Sequence, residues 1–265
     1  MANVNIGDAK VADRNEILRV ITGSIAVHGE PVEATRSDLD LTGIYVEDPN
    51  QVMGLQPTAE HWVTRTRPEG ERSGPGDVDF TSYSLRKFIR LAVAGNPSIL
   101  VPLYVKDPRH ILYLHSLAAA LRQEKARLLS QHAPRRFLGY LDSQTQRMQG
   151  VGKVSRMPKR PELVDAYGYD VKYASAALRL GMQGVELATT GTISLPMSQE
   201  NREILIDMRT GGINFAEALA MIGDTRQQLV KAIEAPILPE EPDFQFINDW
   251  MTQAHLSFWR ERGLV

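Results

Sequence analysis

The hydrophobic pattern of the chain changes near residue 105, and this change limits the folds that the chain can adopt. Before that point the apolar runs are short, rich in β-branched residues and separated by Gly- and Pro-rich breaks, as in ILRVITGS, LDLTGIYV and VDFTSYSL. Runs of this kind are typical of strands. After Asp107-Pro108 the chain becomes rich in Leu and Ala at helical spacing. We therefore expect an α+β protein with strands in its N-terminal part and a helical C-terminal part.

Helices are predicted at several places along the chain. Ser84 to Ala94 has apolar residues at helical spacing and is followed by Gly-Asn-Pro, which ends helices. The Leu- and Ala-rich segment from Ile111 to Ser130 is also expected to be helical, and Ser198 is expected to be a helix N-cap. We predict two domains on this basis, residues 1–107 and residues 108–265.

Composition excludes several classes of protein. The 265 residues contain no Cys, which excludes a disulfide scaffold, a thiolate metal site and a cysteine nucleophile. Thirty Lys and Arg against 32 Asp and Glu give a net charge of −2, which argues against a nonspecific DNA coat or a polybasic membrane binder. The N-terminus lacks the layout of a signal peptide, and no apolar run approaches the ~20 residues of a membrane helix. We expect a cytoplasmic protein with no membrane partner.

The most informative segment is an acidic pair on a predicted strand. Asp38 and Asp40 lie in SDLDLTGIYV, and side chains two residues apart share one face of a strand. Two carboxylates side by side repel each other and cost desolvation, which a bound cation would relieve. Oxygen ligands without Cys or His nearby suit Mg²⁺ or Mn²⁺ rather than zinc.

Two further features strengthen this interpretation. Asp77 and Asp79 form a second acidic pair on the next predicted strand, and one of them would complete a three-carboxylate site for two metal ions. Gly23 and Ser24 follow an apolar strand and offer free N–H groups and a hydroxyl to a phosphate. Alone, an Asp-x-Asp is more often a solvated edge and a Gly-Ser is usually a turn. Their combination in this order favours a functional site.

This order of motifs resembles the DNA polymerase beta-like nucleotidyltransferase superfamily. Within it, GSIAVHGEPVEATRSDLDLTGIYV and DVDFTSYSLRKFIRLAVAGNPSIL are most similar to the predicted nucleotidyltransferases associated with RNA ligases in bacteria and phages. The match covers about the first 105 residues, and Tyr169-Asp170-Val171-Lys172 with Arg179 resembles the helix that follows the family's catalytic domain.

The resemblance implies an N-terminal mixed sheet backed by helices, two divalent ions, and transfer of a nucleoside monophosphate from ATP or another nucleoside triphosphate with release of pyrophosphate. Residues 1–107 would be catalytic, and residues 108–265 would complete the nucleotide cleft. The spacing to the Tyr-Ser-Leu that follows favours Asp79 over Asp77 as the third carboxylate. The implied site residues are the metal ligands Asp38, Asp40 and Asp79, with Gly23, Ser24, Lys172 and Arg179 binding the triphosphate.

Several alternatives stay open at this point. The insert from Glu30 to Glu33 is a departure from the family pattern and adds acidity near the expected triphosphate. The basic residues Lys153, Arg156, Lys159 and Arg160 form either a clamp for a triphosphate or nucleic acid, or a solvated loop. The acceptor could be RNA, a DNA end, a protein or a small molecule. The rival hypothesis is a non-catalytic module that binds a nucleotide or nucleic acid.

Overall fold

A computed structural model describes residues 4–29, 38–55, 58–68, 71, 73–151 and 160–265 of the chain. These residues form two compact units, each assembled from separate parts of the chain. The sheet unit consists of Met1–Val93, Ser98–Leu128 and Pro242–Val265. The helical unit consists of Ala94–Pro97 and Leu129–Glu241.

The sheet unit contains a six-stranded mixed sheet with the strand order β1-β4-β5-β3-β2-β6. The strands are β1 (Val4–Ile6), β2 (Glu16–Ile21), β3 (Leu39–Tyr45), β4 (His61–Arg65), β5 (Val78–Ser84) and β6 (Ile111–Leu114). The central strands β3 and β5 are parallel, and the other neighbouring pairs are antiparallel. The predicted α+β class with an N-terminal mixed sheet is confirmed.

Both units contain helices. In chain order they are α1 (Ala9–Arg14), α2 (Gly23–His28), α3 (Pro49–Met53), α4 (Leu85–Val93), α5 (Pro97–Tyr104), α6 (Ser116–Gln123), α7 (His132–Met148), α8 (Pro161–Tyr167), α9 (Val171–Thr190), α10 (Gln199–Thr210), α11 (Phe215–Glu234) and α12 (Phe244–Glu261). Within the residues described, no helix is both long and apolar enough to cross a membrane.

Helix α1 covers one face of the sheet. Its buried Val11 and Ala12 form a cluster with Tyr45, against which Trp62 packs. Because successive side chains of a strand point to opposite faces, Tyr45 lies on the face opposite that of Asp40 in the same strand. The packing of α1 therefore leaves the aspartate side of β3 available for chemistry.

Helix α12 belongs to the sheet unit although it lies at the end of the sequence. His255 Nε2 lies 3.0 Å from Oε2 of Glu47, just after β3, and Trp259 Nε1 donates to the Glu47 carbonyl oxygen at 2.7 Å. All three residues are buried. The compact units therefore do not follow chain order, and the division at residue 107 into catalytic and cleft-completing domains stays a prediction.

The expectation of a helix from Ile111 to Ser130 is wrong at its start. Residues Ile111–Leu114 form β6, which pairs antiparallel with β2, and α6 begins only at Ser116. A four-residue apolar run has too few residues for its periodicity to separate strand from helix. The strand conformation is favoured here, because pairing with β2 supplies hydrogen bonds to the backbone of β6.

In the helical unit, α9 packs against both α7 and α11. Gly181 and Gly184 allow this approach: a β-carbon at Gly181 would lie 2.6 Å from Thr225 Cγ2, and one at Gly184 would lie 2.8 Å from Leu229 Cδ2. The Ser198 side chain accepts from the N–H of Asn201 and so caps α10, as the sequence predicts.

Candidate metal centre

Two parallel strands bring acidic residues from distant parts of the sequence together. Asp40 of β3 is aligned with Asp79 of β5 in the register of this pair. Asp38 lies just before β3, where the N–H of Leu39 donates to the Asp77 carbonyl oxygen at 2.8 Å and so continues the pairing. Because alternate residues share a face, Asp38, Asp40 and Asp79 point to the same side of the sheet.

These three side chains form a compact cluster of carboxylates, called the Asp triad below. Each contributes one carboxylate oxygen, and the three oxygens lie within 4.8 Å of one another. All three residues are half-buried. Like charges this close repel, and a divalent cation relieves the repulsion. A set of oxygen donors fits Mg²⁺ or Mn²⁺, so the Asp triad could hold a metal ion.

The backbone after β2 is shaped to fit Asp40. The N–H of Thr22 donates to the Asp40 carbonyl oxygen at 2.8 Å, and Gly23 follows with a φ of +63° as the first residue of α2. A β-carbon at Gly23 would lie 2.2 Å from Oδ2 of Asp40. The predicted Gly23-Ser24 turn is therefore the start of a short helix that lies directly against the Asp triad.

Asp79 is held by two residues that sequence reasoning missed. Arg65 of β4, aligned with Asp79, donates from Nε to Oδ1 at 2.9 Å and from Nη2 to Oδ2 at 3.2 Å. The Ser73 hydroxyl lies 3.0 and 2.9 Å from the same two oxygens. The sequence does contain a signal for this contact. Arg65 and Arg67 lie two residues apart, as do Asp77 and Asp79, and the two pairs flank a Gly- and Pro-rich loop that is typical of a hairpin.

Asp77 has a different environment from Asp79. Its carboxylate accepts from the Thr66 hydroxyl, from Nε of Arg67 and from the N–H of Gly74, each at 2.9 Å. The hydrogen bond from Arg67, followed by that from Gly74, lowers the pKa of Asp77. Among the described residues, Asp79 and not Asp77 therefore lies with Asp38 and Asp40.

Lys172 and Arg179 lie in α9 of the helical unit. Lys172 is exposed, and Arg179 is half-buried with Nη1 3.3 Å from Oε1 of Gln183. Asp170 caps the helix by accepting from the N–H groups of Lys172 and Tyr173. The roles of Lys172 and Arg179, like those of Gly23 and Ser24, stay predictions.

The basic segment is described only at its end. Arg160 pairs with the buried carboxylate of Asp170 at 3.1 Å, and its guanidinium lies 4.9 Å from the ring centre of Tyr173. This arrangement stabilises the start of α9. Lys153, Arg156 and Lys159 lie outside the described residues, as does the insert from Glu30 to Glu33.

The family of the chain follows from a match over most of its length. Residues 9–253 match the RNA repair pathway DNA polymerase beta family, RlaP. The chain belongs to this family. The match includes the Asp triad and both units, and it confirms the resemblance to DNA polymerase beta-like nucleotidyltransferases.

One solved structure is similar to the chain at a low level. It is the crystal structure of a nucleotidyltransferase-like protein from Exiguobacterium sibiricum 255-15, with 12% identity, a TM-score of 0.30, and coverage of 85% of this chain and 71% of that one. A likeness at this level adds no argument about the RlaP chain. No curated protein matches the sequence.

Proposed function

We propose that this protein is a metal-dependent nucleotidyltransferase. It would move a nucleoside monophosphate from a nucleoside triphosphate to an acceptor hydroxyl and release pyrophosphate. One observation carries this proposal. Asp38, Asp40 and Asp79 lie on one side of two parallel strands, and each contributes one carboxylate oxygen to a group whose members lie within 4.8 Å of one another. Membership in a nucleotidyltransferase family supports the same reaction class.

The Asp triad would hold Mg²⁺ or Mn²⁺, and we propose two ions. When bound, such ions neutralise charge on the triphosphate and stabilise both the attacking and the leaving oxygen. Asp38 and Asp40 would be ligands, and Asp79 would be both a ligand and the acceptor of the proton from the attacking hydroxyl. A bond forms between the acceptor oxygen and the α-phosphorus while the bond to the β-phosphate breaks, and pyrophosphate leaves with that electron pair.

The triphosphate would be held by the four residues that the family resemblance implies. Gly23 and Ser24 would offer backbone N–H groups and a hydroxyl, since they start α2 directly beside Asp40. Lys172 and Arg179 lie seven residues apart in α9, two helical turns on one stripe, and would contact the phosphate tail. Cations at these positions would stabilise the negative charge that develops on pyrophosphate.

RNA is the acceptor that we favour. The family's description refers to an RNA repair pathway, and a short RNA end requires only a local binding surface on a near-neutral chain. A DNA end, a protein side chain or a small molecule would use the same chemistry at the phosphorus. ATP is the first nucleotide to test, with the other three beside it.

The experiment is incubation of the full chain and Mg²⁺ with each α-labelled nucleoside triphosphate and separate RNA, DNA and protein fractions. We expect label in the RNA fraction together with release of one pyrophosphate per transfer. Label in another fraction would correct the acceptor but keep the reaction. Nucleotide binding by titration calorimetry without turnover on any fraction would support the rival, a non-catalytic module that binds a nucleotide or nucleic acid.

A further inference from the structure

The carboxylate of Asp79 is in contact with two neighbouring side chains, Arg65 and Ser73. Each of its two oxygens accepts one N–H group of Arg65 and lies within 3.0 Å of the Ser73 hydroxyl. Arg65 Nη2 also donates to Ser73 Oγ at 2.9 Å, so the three side chains form a closed set of hydrogen bonds. Such a set fixes the orientation of the Asp79 carboxylate.

The strand register places Arg65 for this contact. Arg65 and Asp79 are aligned partners in the antiparallel β4–β5 pair, and each side chain is only 25% exposed. A two-pronged contact between a guanidinium and a carboxylate is directional as well as strong. Arg65 therefore holds Asp79 in the orientation in which one of its oxygens lies close to Asp38 and Asp40.

The same contact puts a positive charge against the Asp triad. A cation in contact with one of three carboxylates reduces the attraction of the cluster for a divalent ion, strongly so where the groups are half-buried. The hydrogen bonds of Arg65 also occupy lone pairs that a metal ion would use. A triphosphate reverses this balance, since it brings negative charge and additional oxygen ligands for the ion.

We propose that Arg65 is a positioning residue that also sets when the metal binds. It orients Asp79 for the reaction, and its charge keeps the metal affinity of the Asp triad low until a nucleoside triphosphate arrives. Metal loading is thereby coupled to substrate binding. This inference rests on the proposed function, because it takes the Asp triad to be the metal site.

The test is a Mn²⁺ titration of the full chain without nucleotide, in which free Mn²⁺ is measured by its electron paramagnetic resonance signal. We expect Arg65→Gln to bind Mn²⁺ about tenfold more tightly than the wild type, because it removes the charge. Arg65→Lys keeps the charge and should stay within about threefold of the wild type. The matched control is Arg67→Gln, which removes the same charge from the same side of the hairpin but frees Asp77, outside the Asp triad.

A second readout separates positioning from charge. Both Arg65 variants lose the two-pronged contact, so each should lower kcat at least about tenfold while KM for the triphosphate changes much less. A merely structural role would lower thermal stability in both variants and would not tighten Mn²⁺ binding in Arg65→Gln alone. Circular dichroism checks folding, and Arg65→Met replaces the Gln variant if that variant is unfolded.

The outcomes distinguish this inference from the proposed function. If the wild type binds Mn²⁺ and Asp38→Asn removes that binding, the metal site stands. Arg65→Gln with an affinity equal to or weaker than that of the wild type would then overturn the role of Arg65 alone. If Asp38→Asn leaves Mn²⁺ binding unchanged, both the proposed metal site and the proposed role of Arg65 are contradicted.

Discussion

Gly23 and Asp40 are in direct contact, although 17 positions separate them in the sequence: a β-carbon at position 23 would lie 2.2 Å from Oδ2 of Asp40. Gly23 also has a φ of +63°, which other residues rarely adopt. The start of α2 and the carboxylate of β3 therefore constrain each other, and a side chain at position 23 would move a residue of the Asp triad.

Replacing Gly23 tests this contact. Gly23→Ala should lower Mg²⁺-dependent nucleotidyl transfer at least about tenfold, because the new methyl group displaces the Asp40 carboxylate. In urea, the free energy of unfolding should fall by about 1–2 kcal/mol, because alanine is strained at this φ. The control is Gly263→Ala, at a φ of +62° with no described atom within 4 Å of its β-carbon. Full transfer activity in Gly23→Ala would show that the contact is unimportant for function.

The buried Glu47–His255 pair should make the stability of the sheet unit depend on pH. Burial raises the pKa of Glu47, but the hydrogen bond and the charge of His255 outweigh it, so the pKa lies below 4.5 in the folded protein. A carboxyl whose pKa is lower in the folded than in the unfolded protein stabilises the fold at pH values above its unfolded pKa. That contribution is lost as the pH falls through the folded pKa.

The measurement is the free energy of unfolding of wild type and Glu47→Gln at a series of pH values. We expect Glu47→Gln to cost about 3–5 kcal/mol near neutral pH, because it removes one partner of a buried pair. The cost should shrink as the pH falls below 4.5. Glu234→Gln, an exposed position in α11, serves as the control. An equal loss at every pH would contradict the assignment to the ionised pair.

Lys172 tests the role of the helical unit. Its side chain is exposed at the start of α9, and circular dichroism checks that Lys172→Ala stays folded. We expect KM for the nucleoside triphosphate to rise about tenfold through loss of a phosphate contact. Lys231→Ala, at another exposed lysine in α11, should leave KM unchanged. A KM for Lys172→Ala equal to that of the wild type would remove Lys172 from the nucleotide site.

The sequence predicts the strands of the Asp triad well, and physical reasons explain why. Alternation along LDLTGIYV and VDFTSYSL is a local property, so each strand and the face of its aspartates can be read from neighbouring residues. The pairing of β3 with β5 is not local. The family resemblance implied that Asp79 joins Asp38 and Asp40, but the register that aligns Asp79 with Asp40 is seen only in the structure.

Other features depend on contacts between distant residues and are not predictable from the pattern alone. The strand Ile111–Leu114 is decided by its pairing with β2, and α12 joins the sheet unit through Glu47. The clamp of Arg65 and Ser73 on Asp79 requires the β4–β5 register and the path of the intervening loop. Only the alternating charges of the two strands point to it in the sequence.

The metal site is tested most directly by Mg²⁺-dependent pyrophosphate release with an RNA acceptor, measured for the wild type and for Asp38→Asn/Asp40→Asn. We predict that the double variant stays folded by circular dichroism and loses activity by about a thousandfold or more, since the metal ions have lost their ligands. Asp77→Asn, which changes an aspartate outside the Asp triad, should keep most of the activity. A folded double variant that releases pyrophosphate at the wild-type rate would show that the Asp triad does not hold the catalytic metal.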